Sequence, residues 1–561
     1  MKKIFLSFVA TVLFVGLSAA KADVINTLSN EQKLSDLDQL VALVKSGYGP
    51  LRYKKEKLNI DVDALRATYA AKVLDTKSNA EYYYQLMQFI SEFHDGHFRA
   101  TLPTTRVSEL PISTDLVDGH VLIDSINRDL LPEDEFKFQK GDEILAVDGQ
   151  PISAVLDDLQ KYRGLGFSQS ERRMAAMAVS IRTAARMPAP EGTVKLHIRR
   201  GLSNVEADAE LKWKVKGDAI DEVLKSTGVH NVNFKKALNG LTANGSYFDD
   251  LSTFDLMKEF ENSNVERSFR CSGDSRIEQP EKATVIMKTP FVAYYYPTAF
   301  GNVGYLRIPH YSPEDKDYDK RFAQYEFAVA ELEKNTVGLV IDQDHNCGGS
   351  VSYLHRILSL FADKPVAPMQ FQLLANKEEY TKCQGWLKEA ADYTIEKSQL
   401  EKVCGLIKTS WLKGDFMTEK TAIDGQDLVY PNQVRYTKPI VMLIDEMSGS
   451  GGDAFPSLMK GYGRAKLIGT RTMGLGGHVV AQAALFYSQI VPEMTKSLFY
   501  RPDGVAVENN GAEPDFAYSI TRDDFVYGYH GYRAFYEQKL ADLVNATKHT
   551  IEIPQSLARV Q

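Results

Sequence analysis

Two short apolar runs constrain this chain more than anything else in it. "TVGLVIDQD" (336–344) and "KPIVMLID" (438–445) are each about the length of one strand, apolar on both faces, and bounded by polar turns. A strand that is apolar on both faces must be covered on both faces, as in a parallel sheet layered with helices. The surroundings agree. "NVGYLRIPHY" reads as a strand from 302, residues 313–335 as an amphipathic helix, and a further helix starts near Ser350. Strands alternating with helices predict an α/β core with parallel strands over residues 301–530.

The remaining chain divides around that core. Lys2 and Lys3 precede "IFLSFVATVLFVGL", and Ala20-Lys21-Ala22 follows. This is the pattern of a secretory signal peptide over 1–22, cleaved after Ala22, and it predicts a periplasmic or secreted protein with no membrane anchor afterwards. Residues 23–107 read as an N-terminal helical region. Ser29-x-x-Gln32 and Ser78-x-x-Glu81 are capping-box patterns, and Leu86, Phe89, Ile90 and Phe93 share one helix face. That helix, counted as the third, runs toward Gly96. Residues 108–203 change character. "HVLIDSI" and "TVKLHIRR" are strands, and "KGDEILAVDGQPI" holds a strand and a turn at Asp148-Gly149. Residues 204–300 are polar and read as a linker or insert, loosest over 217–285. Residues 531–561 read as a C-terminal helix and tail.

Charge and cysteines narrow the function. There are 66 Lys and Arg against 74 Asp and Glu, a net −8, and no basic run, which argues against nucleic acid as a partner. None of the four cysteines forms a C-x-x-C pair, and no H-E-x-x-H occurs, so neither a metal nor a cofactor is expected. Cys383 and Cys404 flank one helical stretch and can pair, whereas Cys271 and Cys347 are unassigned.

The chemistry lies where strands end in glycine. "VIDQDHNCGGS" (340–350), "IDEMSGSGGDAF" (444–455) and "GTRTMGLGG" (469–477) all end strands of the expected core. A serine that attacks a carbonyl needs its Oγ at a sharp turn beside backbone N–H groups that receive the oxyanion. Ser450 answers that need at a strand-to-helix turn, with Ser448 as the weaker candidate. The N–H groups of Gly451 and of Gly348 or Gly349 are the candidate oxyanion hole. The general base is not adjacent in sequence. His97 stands in "EFHDGHFRATLP", and His94, His345 and His478 are rivals.

These three stretches resemble the C-terminal processing, or tail-specific, protease family, in which a D-x-R-x-N-x-G-G strand end and an S-x-S-x-x-(D/E) turn build the site. The Gly141–Gly149 segment resembles the G-D-x-I-x-x-V-D-G pattern of a PDZ domain, while "GLGF" at 164–167 follows that pattern where a peptide-carboxylate loop would precede it. The resemblance implies a catalytic α/β core of the tail-specific protease type, an N-terminal helical region and an inserted PDZ-like domain. The Ser–Lys branch places a lysine where this chain has Leu475, and Asp344 and Cys347 stand where the family usually has Arg and Pro. Asp95-Gly96-His97 and Glu508-Asn509-x-Gly511-x-x-Pro514-Asp515 instead resemble the tricorn-like Ser-His-Glu branch, which includes the chlamydial protease-like activity factor. That branch implies His97 as base and Glu508 as the carboxylate that orients it, with Glu513 as a rival. The expectation is an exported serine endopeptidase acting on polypeptide substrates, open to homodimer formation and to activation by self-cleavage in 204–300. The alternative is a non-catalytic ligand- or peptide-binding protein on the same fold.

Overall fold

A computed structural model of the 561-residue chain describes residues 28–557, apart from 103, 202, 204, 221–272, 314–316 and 390–396. The expected signal peptide and most of the expected insert lie outside the described residues.

The core is a seven-stranded sheet. Its spatial order is Thr284–Met287, Ala293–Thr298, Gly301–Arg307, Gly338–Asp342, Ile440–Ile444, Lys466–Gly469 and Phe516–Ala517. The first three strands pair antiparallel, and every later pairing is parallel, with Val303 opposite Gly338, Leu339 opposite Ile440 and Val441 opposite Lys466. Both runs that opened the sequence reading are central strands buried at every position. Alternate residues point to opposite faces, as a pleated strand requires. Leu339, Ile341, Ile440, Met442 and Ile444 pack with Ala328, Leu332, Ile357 and Phe455 from helices on one side. Val340, Val441 and Leu443 pack with Tyr532, Tyr536 and Leu540 of the C-terminal helix on the other. Each fully buried Leu, Ile or Val contributes about 1.5–3 kcal/mol.

Four N-terminal helices, rather than the three counted from sequence, precede this core: α1 (Asn30–Gly47), α2 (Leu51–Leu58), α3 (Val62–Asp75) and α4 (Asn79–Ser91). The short α2 ends at Asn59 in the left-handed region. The Ser29–Gln32 capping box forms in full, and Ser78 caps α4 through the Glu81 amide.

The PDZ-like unit holds the sheet Ile112–Val117, His120–Ile126, Glu143–Val147, Thr193–Arg199 and Glu206–Lys212, with Gln150–Pro151 hairpinned onto it through the Asp148-Gly149 turn. Two findings correct the expected bounds of the linker, one at each end. The strand Glu206–Lys212 belongs to this sheet, and Thr284–Met287 and Ala293–Thr298 belong to the core sheet, although all three lie in the expected linker 204–300. The first is mostly exposed and the second partly so. As an edge strand with charged outer positions, Glu206–Lys212 shows little of the apolar pattern that marks a strand in sequence. A helix, Ser168–Met177, packs across the edge strand Ile112–Val117, where Thr114 Oγ1 donates to the Ala176 carbonyl at 2.7 Å.

Candidate active site

Strand pairing anchors the loop that carries His97. Arg99–Thr101 pairs antiparallel with Val491–Thr495, placing Arg99 opposite Glu493, and the two side chains form a buried ion pair. His97 sits two residues ahead of that strand, so the pairing fixes its loop beside the segment Val491–Thr495. The loop is tied down by Asp95, which accepts from the His97 amide at 2.8 Å, from Tyr48 Oη at 2.7 Å and from Thr495 Oγ1 at 2.7 Å.

Ser450 follows the strand Ile440–Ile444 and caps the helix Gly451–Gly461. Its backbone lies at φ 58° and ψ −112°, a conformation that L-residues rarely adopt and that persists only where the surroundings enforce it. Asp453 is the enforcer. Its carboxylate accepts from the Ser450 amide at 2.8 Å, Gly474 N at 2.7 Å, Leu475 N at 3.0 Å and Thr472 Oγ1. One side chain thus clamps the serine turn to the 472–475 loop. Burial pushes its carboxyl up to about 7, against the pull of those donors.

Gly348 completes the turn. A Cβ there would lie 2.7 Å from Ser450 Cβ and 2.8 Å from Gly451 N, and its φ of +77° also favours glycine. The Gly348 amide donates to Asn346 Oδ1 at 2.8 Å. In the first turn of the serine helix, the amides of Gly452, Asp453 and Ala454 bond to Gly449 O, Ser450 O and Ser450 O. Among the described residues, that leaves the Gly451 N–H as the unspent amide at a helix N-terminus, where partial positive charge concentrates. Gly349 packs against the Tyr311–Ser312 backbone.

The rivals named from sequence are engaged elsewhere. Ser448 Oγ donates to Gln343 O at 2.8 Å and Asp445 Oδ1 at 2.9 Å. His94 Nδ1 meets Glu171 at 2.6 Å, His345 pairs with Asp445, and His478 Nδ1 lies 2.8 Å from Ser497 Oγ. Glu513 is half-exposed and pairs with Arg471. Leu475 is buried beside Leu165 and Met473, in contact distance of Gly96. Cys383 and Cys404 form a disulfide. Cys347 is disulfide-bonded, and Cys271 lies outside the described residues. Asp344, where the family has Arg, is driven well above the usual carboxylate range by burial and by Asp342 and Asp445.

His97, Ser450 and Glu508 are each 0% exposed. Neither ring nitrogen of His97 has a hydrogen-bond partner among the described residues. Burial depresses its pKa to about 4, so the ring is neutral and able to accept a proton at pH 7. Glu508 is not hydrogen-bonded to His97 here. Its carboxylate pairs with Lys54 and accepts from Gly476 N at 2.7 Å. Burial, then Asp95, push that carboxyl up to about 8, and Lys54 pulls it down. Sequence reasoning missed three participants. Asp453 was visible as the acidic end of the S-x-S-x-x-(D/E) turn. Asn509 was visible as the Asn of the E-N motif. Lys54 carried no signal.

From the PDZ-like unit, Arg173 reaches Asp115 at 2.8 Å and Glu446 at 3.0 Å, and Ser170 Oγ donates to Glu446 O at 2.7 Å. The strand end leading to Ser450 is therefore braced by the helix Ser168–Met177.

The chain is similar to known proteins. Residues 302–518 match peptidase family S41 and residues 106–224 match a PDZ domain. An uncharacterized protein of Chlamydia muridarum is 26% identical over 570 residues, spanning 92% of this chain and 93% of its own. A probable CtpA-like serine protease of Staphylococcus epidermidis is 22% identical over 223 residues, 40% of this chain and 35% of its own. Among solved structures, mature CPAF superposes with a TM-score of 0.75 at 25% identity, covering 92% of this chain and 98% of that one. No helix among the described residues is long and apolar enough to cross a membrane.

Proposed function

Taking this chain as a serine protease of peptidase family S41 with a PDZ domain ahead of its catalytic core, we propose that it is an exported endopeptidase working through a Ser450–His97–Glu508 triad. The observation that carries the reading is the enforced backbone of Ser450 at a helix N-terminus, with Gly348 against its Cβ and the Gly451 N–H unspent. Ser450 Oγ attacks the scissile carbonyl while His97 takes its proton. The oxyanion that forms is received by the Gly451 N–H and by the amide of Gly349, or by that of Gly348 once it releases Asn346. Collapse of the tetrahedral adduct expels the amine, which leaves with the His97 proton, and water then hydrolyses the acyl-enzyme by the same route. Glu508 stabilises the imidazolium. No step calls on a metal or cofactor.

The enclosure of all three side chains supports a further element of the reading. None of these three described side chains is exposed, which supports a site that opens before it takes a polypeptide, and self-cleavage within 204–300 is the proposed trigger. The PDZ domain positions the polypeptide, and export follows from the sequence of 1–22. The test is peptide cleavage by the wild type and single variants. Ser450→Ala and His97→Ala abolish cleavage, Glu508→Gln leaves a residue of activity, and EDTA has no effect. Over time the wild type alone splits into two fragments as activity rises. Persistent cleavage by pure Ser450→Ala protein would end the reading; an intact, fully active wild type would end only the self-cleavage element.

A further inference from the structure

Helix α2 carries "LRYKKEKL", whose lysines read as a solvated face. Lys54 does not lie on one. It is 0% exposed, and its ammonium has three protons, all of them engaged: by the Glu508 carboxylate, by Asn509 Oδ1 at 2.6 Å and by the His94 carbonyl at 2.9 Å. A buried cation is tolerated only when paired and fully hydrogen-bonded, and both conditions hold. Asn509 Nδ2 in turn donates to His94 O and to Gly166 O, each at 3.0 Å. Tyr53, beside Lys54, donates to the Glu508 carbonyl at 2.6 Å. The lysine therefore joins two segments, the backbone three residues ahead of His97 and the Glu508-Asn509 pair, that are more than 400 residues apart in sequence.

We infer that Lys54 is a positioning residue of the hydrolytic site: its ammonium fixes the Glu508 side chain beside the loop that carries His97 and favours its charged form over its neutral one. This rests on the reading of Glu508 as the orienting carboxylate. The charged and titratable groups around Glu508 are Lys54 and Tyr53 from α2, Tyr48 from the turn before it, and Asp95 from the His97 loop. Asp95 and burial both oppose ionisation of Glu508, and Lys54 is the cation that favours it. Without the lysine, burial and Asp95 act unopposed by it and Glu508 holds its proton to higher pH, and a neutral acid cannot stabilise the His97 cation as the serine proton arrives.

The test is the pH profile of kcat/KM for the full chain, carried through Lys54→Met, Lys54→Arg, Glu508→Gln and the Lys54→Met/Glu508→Gln double variant. Lys54→Met should lose at least tenfold at pH 7, in kcat with little change in KM, and the deficit should shrink toward pH 9 as Glu508 regains its charge. Lys54→Arg should keep the wild-type profile shape, and Lys54→Met should cost nothing further in the Glu508→Gln background. Lys54→Gln, which keeps hydrogen bonds without charge, replaces Lys54→Met if that protein does not fold, with the same expected shift. A profile lowered by one factor at all pH values, or losses that multiply in the double variant, would make Lys54 a fold staple and overturn the inference. So would a fully active Lys54→Met. If Glu508→Gln itself is as active as wild type, the triad reading fails first, and that result is distinct from a defective Glu508→Gln beside a normal Lys54→Met.

Discussion

Replacing Gly348 by alanine tests whether this turn works as the oxyanion side of the site. The new methyl would stand 2.7 Å from Ser450 Cβ and 2.8 Å from Gly451 N, and neither neighbour is the far end of a flexible side chain. The Ser450 turn must move to relieve the overlap. Strain from the positive φ costs about 1–2 kcal/mol, and overpacking adds about 1–3 kcal/mol. Loss of one oxyanion donor costs about 2.7–4 kcal/mol of transition-state stabilisation. The expected result is therefore a fall in kcat/KM of about 10²–10³-fold, with a moderate loss of stability. Gly463→Ala is the matched control, since it has φ +70° and nothing within 4 Å of its Cβ position. It carries the strain without the overlap. Both variants are followed by peptide hydrolysis and by urea unfolding. Gly348→Ala activity within threefold of Gly463→Ala activity would refute the placement of this glycine in the site.

Three further outcomes follow from the geometry. Ser448→Ala should lower stability through loss of its bonds to Gln343 and Asp445 yet keep cleavage within a few-fold of wild type, and abolished cleavage in a well-folded Ser448→Ala protein would move the nucleophile. Removing the Cys383–Cys404 disulfide, which spans 21 residues, should cost about 3 kcal/mol in urea unfolding without altering kcat; unchanged stability would contradict this. Stability should also vary with pH in a stated direction. Burial holds His97 and His345 at about 4 and His310 and His478 at about 3, below the usual 6.5, so between pH 4 and 6.5 the unfolded chain binds protons that the folded chain refuses. Stability then rises with pH across that window, opposed in part by Asp453 and Glu508, whose raised values make the folded chain hold protons that the unfolded chain releases. His97→Gln should flatten the slope between pH 4.5 and 6 by about 1.4 kcal/mol per pH unit, and an unchanged slope would show that His97 titrates normally.

What the sequence made legible is local. The two central strands announce themselves because burial on both faces leaves an apolar run, with Asp342 at a strand end as its polar position. The serine turn is legible because its chemistry demands small residues in one short stretch. The Asp148-Gly149 hairpin and the Ser29 capping box are legible because backbone geometry dictates the residue type. What was not legible depends on partners distant in the chain. Lys54 looks like its neighbours Lys55 and Lys57 until Glu508 arrives from the far end of the protein. The strand Glu206–Lys212 is an exposed edge whose side chains carry charge, so its pairing with Thr193–Arg199 leaves little trace in hydropathy. The helix Ser168–Met177 lies across a PDZ edge strand because Thr114, Asp115 and Arg173 bond there, a three-residue match that no periodicity reveals.

The central claim is that Ser450 is the acylated nucleophile and His97 its base. It is tested most directly by labelling the active protein obtained from the full chain with a fluorophosphonate and locating the adduct by fragmentation of the peptide that carries both Ser448 and Ser450. The account predicts one adduct, on Ser450, lost in His97→Ala while Ser448→Ala still labels. An adduct on Ser448, or undiminished labelling of Ser450 in His97→Ala, would contradict it.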